Sequence, residues 1–153
     1  MKEITQIELI KFIDENRDIV NFGTSKDAVD ESWILKAESC LGFPLTNSYK
    51  WFLLEYSGGE VGGEEIYSIY GLDFESVNGG DIIYQHIIGL KNNTVNNTQL
   101  VISETDFGDM YYFDYTKLND GECPIFIRLP SKECRIYATN FYEFLYKRIK
   151  AHL

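Results

Sequence analysis

Positive charge is what this sequence has least of where it matters. Residues 51–125 contain 13 Asp and Glu but only Lys91 and Lys117 as bases, and the whole chain, with 14 Lys and Arg against 24 acids, carries a formal net charge of −10. Nucleic acids and anionic membranes recruit Lys and Arg against phosphate, so neither is expected as a direct ligand. Histidine is also scarce. His86 and His152 are the only two; neither has a partner at ligand spacing, and the three cysteines (Cys40, Cys123, Cys134) are too scattered for zinc. No metal or other cofactor is expected. An odd number of cysteines without paired spacing fits reduced thiols in a cytosol. The opening MKEITQIELIKF carries acids where a signal peptide is basic and then apolar, and no apolar run approaches the ~18 residues of a membrane span. The expected location is cytoplasmic.

Recognisable catalytic signatures are missing too. Gly58-x-x-x-x-Gly63 has the glycine spacing of a phosphate-binding loop, but Glu64-Glu65 stand where Lys and Ser or Thr are required. The stretch also follows a helix, where that motif follows a strand. Asp106-Phe107-Gly108 spells the magnesium-binding tripeptide of protein kinases without the lysine and catalytic loop that give it meaning, so it reads as a turn between strands. Glu104, Asp106 and Asp109 lack the ligand spacing of a calcium loop. No nucleophile elbow or Cys–His pairing is visible. Paired carboxylates for glycoside hydrolysis are a nearly empty possibility, because 24 acids guarantee some close pairs. The expectation is a protein that is not an enzyme.

Core material, by contrast, is plentiful: 44% of residues are hydrophobic and 15% aromatic. No repeat, linker or low-complexity tract divides the chain, so residues 1–153 read as a single domain. Ile4, Ile7, Ile10 and Ile13 suggest a first helix over residues 3–16. A second starts after a capping Asp30, buries Ile34, Ala37 and Leu41, and ends at Gly42. A third starts after Thr46, buries Tyr49, Phe52, Leu53 and Tyr56, and stops at Gly58-Gly59. Short β-branched and aromatic runs follow at residues 66–70, 100–103, 110–115, 125–129 and 135–138. Turn residues at Asn119-Asp120-Gly121 and Leu129-Pro130-Ser131 make the last four an antiparallel meander. Residues 81–91 are ambiguous, with a crossing helix preferred. A final helix begins after Asn140 with Glu143 completing a capping box, and buries Phe141, Phe144, Leu145 and Ile149. The expected fold class is α+β: N-terminal helices, a twisted antiparallel sheet, and a closing C-terminal helix.

Charge is distributed unevenly along this frame. Residues 1–50 hold nine acids and six bases (−3), residues 51–125 hold 13 and two (−11), and residues 126–153 hold two and six (+4). If the acidic loops converge, Glu60, Glu64, Glu65, Asp73, Glu75, Asp106 and Asp109 form a negative face that attracts a basic partner and speeds association. Tyr70 lies among them as a candidate aromatic anchor. Charge alone fits equally well a solvated acidic surface with no partner.

The ordered set of signals resembles the SUKH superfamily, also called the Smi–Knr family. The resemblance rests on Ile34-x-x-x-Glu38-x-x-Leu41-Gly42, Leu45, Tyr49-x-x-Phe52-Leu53 and Ser57-Gly58-Gly59. It continues through Leu100-Val101-Ile102, Gly108-x-x-Tyr111-Tyr112-Phe113-Asp114 and Tyr137-Ala138-x-x-Phe141-x-x-Phe144-Leu145. Two departures, Thr46 after Leu45 where the family usually has proline, and Ser57 where it often has Asn, keep helix-boundary chemistry. The chain looks most like the YobK-type immunity proteins encoded beside LXG-type secreted toxins. The resemblance implies a non-catalytic antitoxin that neutralises a cognate protein toxin, with the basic nuclease domain of an LXG-type toxin as partner. A regulatory scaffold that binds a signalling protein, as in eukaryotic members, is the alternative it leaves open.

Overall fold

The computed structural model describes residues 3–153, which form five helices and two antiparallel sheets, an α+β fold. Each helix starts where a short polar side chain satisfies amides that the first turn leaves open. Thr5 accepts from the Glu8 amide at 3.1 Å to begin α1 (Gln6–Glu15), and Asp30 accepts from Ser32 at 3.0 Å to begin α2 (Glu31–Leu41). Thr46 opens α3 (Asn47–Tyr56), Asp81 opens α4 (Ile82–Lys91) and Asn140 opens α5 (Phe141–Lys150). The segment that fitted either strand or helix, residues 81–91, is thus a helix.

Within the capping box of α5, Asn140 accepts from the Glu143 amide at 3.0 Å, while the Glu143 carboxylate reaches past the cap to the Thr139 amide at 2.8 Å. Gly42 ends α2 with φ 83°, a left-handed conformation that a Cβ would penalise. The stripes expected on α2, α3 and α5 are all buried. On α1 the expected stripe fails: Ile7 is 80% exposed, and Leu9 and Ile13 are the buried pair. Residues at strict i+3 spacing drift about 60° backwards per step on a helix of 3.6 residues per turn, so the four isoleucines cannot share one face.

The meander is β4 (Gln99–Glu104), β5 (Met110–Asp114), β6 (Ile125–Arg128) and β7 (Cys134–Ala138), paired in that order. The run expected as a strand at residues 66–70 is largely not one. Regular pairing stops at Ile66, with a single parallel bridge from Ser68 to Asp81 beyond it, and β3 (Glu64–Ile66) belongs to a small second sheet with β1 (Val20–Phe22) and β2 (Gly59–Val61). Gly62 and Gly63 (φ 56° and 83°) form the two-residue turn between β2 and β3, the positive-φ pair a tight hairpin demands. The two sheets lie side by side: the Tyr67 amide donates to the Ile102 carbonyl at 2.8 Å, and the Ser103 hydroxyl to the Glu65 carbonyl at 2.8 Å.

α3 and α5 enclose an aromatic core with one face of the meander, where Tyr49, Phe52, Phe113, Phe141 and Phe144 are fully buried. Tyr49 packs edge-on to Phe113 and Phe141 (centroids 5.7 and 5.1 Å), a favoured aromatic geometry. A smaller cluster of Val95, Val101 and Tyr112, with Phe126 against it, gathers separately. β7 is the free edge of the meander, with residues 134–136 exposed, and Lys147 donates to the Tyr137 carbonyl there at 2.7 Å.

Candidate docking surface

Below α3 the backbone is held in an unusual conformation. The Gly58 amide donates to the Tyr56 carbonyl at 2.6 Å around Ser57, whose φ of 59° and ψ of −38° approach the rare, strained γ-turn. Gly58 and Gly59 follow. A Cβ on Gly59 would stand 2.1 Å from the Asn21 carbonyl oxygen, so only glycine lets β2 approach β1 here. The segment from Ser68 to Leu72 runs opposite. Asp81 holds it: one carboxylate oxygen accepts from the Ile83 and Tyr84 amides at 2.9 and 3.0 Å, the other from the Tyr70 amide at 3.0 Å. Asp81 is fully buried, and three backbone donors together with the positive end of α4 stabilise its charge.

Between these two segments lies an open groove of about 450 Å³. Its floor includes Gly58, Gly59 and Ser68, and Asp27, Glu65 and Tyr70 stand along its walls. The Tyr70 hydroxyl donates to Glu65 at 2.6 Å and accepts from the Gly80 amide at 2.8 Å. Burial and then the Glu65 hydrogen bond push its pKa up to about 12, so the phenol stays a donor. Leu72 is 57% exposed at the rim.

Glu60 and Glu65 are cross-strand partners in β2 and β3, and both side chains are exposed. Like charges in direct register repel, and no Lys, Arg or His meets either among the described residues. Glu104 ends β4 beside them. The Tyr67 hydroxyl is raised first by burial, then by Glu104 and Glu65 together. Asp106 and Asp109 occupy the turn from β4 to β5, closed by the Thr105 amide on the Asp109 carbonyl at 2.9 Å. Asp106 is exposed and Asp109 half-buried.

Asp73 and Glu75 lie in the loop beyond Tyr70, where Asp73 accepts from the Glu75 amide at 3.1 Å and shares a shallow hollow with Trp33, Lys36 and Phe74. Glu64 departs from the expected set. Alternation along β3 turns it to the same side as buried Ile66, where Arg148 pairs with it and His152 approaches to 3.2 Å. Its charge is spent inside the fold. Asp27, Ser68 and Asp81 were not singled out from the sequence; a cap position before α4 was the one available signal, and it pointed to Asp81 alone.

Among the described residues, no group of three His, Cys, Asp or Glu could hold a metal ion, and no helix is long and apolar enough to cross a membrane. All three cysteines are free. Fold and surface together define a small α+β domain with a polar, carboxylate-walled groove. The SMI1-KNR4 cell-wall family model (SUKH_6) matches residues 31–145, most of the chain and every element from α2 into α5, and the protein belongs to this family.

Proposed function

We propose that this protein is a non-catalytic immunity protein that captures a basic protein toxin, a nuclease of the LXG type, on its carboxylate-rich side. The observation that carries the reading is the opposed pair Glu60 and Glu65, exposed and without a cation among the described residues, with Glu104 acting beside Glu65 on Tyr67. Two carboxylates in direct register cost stability in the free protein, and a cation supplied by a partner would remove that cost. A nuclease presents cations where it binds phosphate, so a protein with this surface would complement it and block the substrate path. Family membership supports a protein partner, because the family includes immunity proteins of toxin systems. Within the expected set, Glu60, Glu65, Asp106 and Asp109 would steer, with Tyr70 as the anchor. Asp73 and Glu75 would lie at the margin.

Co-expression with the toxin encoded beside its gene, scored for growth, tests the reading. Wild-type protein restores growth, and the combined reversal Glu60→Lys, Glu65→Lys, Asp106→Lys and Asp109→Lys loses protection while keeping its thermal transition. Protection unaffected by the four reversals would overturn the assigned surface. Failure of the wild type to protect would overturn the antitoxin role.

A further inference from the structure

The groove between Ser57 and Tyr70 is built more specifically than a negative surface requires. Ser68 is only 6% exposed, it lines the groove, and its hydroxyl makes no hydrogen bond among the described residues. A Cβ on Gly58 would stand 2.6 Å from that oxygen, so the glycine keeps the hydroxyl uncovered. The residue is nearly buried, but its hydroxyl opens onto the groove, where a ligand can supply the partner that the protein does not.

The two carboxylates on the walls are each fixed by one oxygen and free at the other. Asp27 Oδ2 accepts from the Thr24 amide and hydroxyl at 3.0 and 3.3 Å, leaving Oδ1 unoccupied. Glu65 Oε2 accepts from Tyr70, leaving Oε1 unoccupied. Glu65 also rests against Gly80, where a Cβ would fall 2.1 Å from its carboxylate. The Tyr70 ring is fixed through its hydroxyl and 40% exposed, which leaves it able to flank a cation.

From this arrangement we propose that the groove is a socket for an arginine side chain carried on a loop of the protein partner. A guanidinium offers five N–H donors in a rigid planar fork. Its donors match the acceptors that line this one groove, the two carboxylates and the Ser68 hydroxyl, and it stacks on tyrosine, whereas an ammonium is a strongly hydrated point charge that uses the fork geometry less well. Two carboxylates on the walls exclude phosphate and other anions. Exposed Leu72 at the rim suits the methylene stem of the arginine. The identity of the partner rests on the antitoxin reading above; the socket itself does not.

The test is an amide-resolved NMR titration of the full chain with N-acetyl-arginine amide, its neutral isostere N-acetyl-citrulline amide, and N-acetyl-lysine amide. The arginine compound should move the Ser57, Gly58, Ser68 and Tyr70 amides saturably, the citrulline compound at least tenfold more weakly, and lysine in between. Asp27→Asn with Glu65→Gln, both at exposed positions, should weaken arginine binding at least tenfold without lowering the thermal transition. Absence of saturable shifts at the groove, or an equal response to citrulline, overturns the socket. Growth protection keeps the two readings apart. A wild type that binds the arginine compound but fails to protect sinks the antitoxin role alone, and an Asp27→Asn, Glu65→Gln protein that protects fully shows that the partner does not use the socket.

Discussion

Asp81 shows how much one side chain can decide at the scale of a residue. It caps α4 and holds the Tyr70 segment through three backbone amides while fully buried. Asp81→Ala strands those donors and should cost about 2–3 kcal/mol, read from urea unfolding. Asp81→Asn, which keeps an acceptor, should cost less. Ser57 works in the opposite direction: Ser57→Gly relieves a positive φ and should stabilise by roughly 0.5–1 kcal/mol, provided the groove keeps its shape. His86 carries a pH dependence. It is buried against Phe43, and neither ring nitrogen has a hydrogen-bond partner. Burial lowers its pKa; Asn97 and the Gln99 backbone pull the other way without completing a bond. A histidine whose pKa is lower in the folded than in the unfolded chain, where it titrates near pH 6.5, contributes stability that is present above that pH and lost as pH falls below it. Urea unfolding at pH 7.5 and 5.5 should therefore show a drop in the wild type that shrinks in His86→Leu. An unchanged drop would clear His86 of the effect.

The elements were legible from the sequence to unequal degrees, and the reasons are physical. Three capped helices and the meander were readable because a capping side chain and a periodic apolar stripe act locally. The three-residue strands β1, β2 and β3 were not, because so short a strand has too few residues for alternation and forms only when its neighbours are in place. The inward turn of Glu64 follows from the same oversight. Once β3 is known to end at Ile66, alternation puts Glu64 inside and Glu65 outside. The resulting pair ties the β2–β3 hairpin to α5, with Arg148 also lying over the Tyr111 ring at 4.9 Å. Arg148→Met should cost roughly 3 kcal/mol in thermal or urea unfolding, because it leaves Glu64 half-buried without its main partner. Gly62→Ala should cost at least about 1–2 kcal/mol, from its φ of 56° and from a Cβ placed 2.4 Å from the His152 ring.

At the scale of the whole molecule, charge is uneven along the chain, −11 over residues 51–125 and +4 over residues 126–153. Glu60 faces Glu65 across β2 and β3, and Glu104 acts with Glu65 on Tyr67, while Lys147 and Lys150 lie on α5 over Tyr137 and Tyr146. If association is steered by this separation, its rate constant should fall at least tenfold between 50 and 500 mM salt while dissociation changes little. Stopped-flow mixing with the partner measures both. The charge imbalance itself was plain from counting residues; the groove was not, since Asp27, the Ser57–Gly59 turn and the stretch from Glu65 to Leu72 are separate segments that only the fold brings together. The Lys147 ammonium on the Tyr137 carbonyl has a different consequence. It occupies a backbone acceptor on the one margin of the meander that a second molecule could zip onto, and it adds a charge there that such a stack would have to bury. Lys147→Ala would then shorten shelf life in concentrated solution, with light scattering rising over days while the freshly prepared protein looks unaltered.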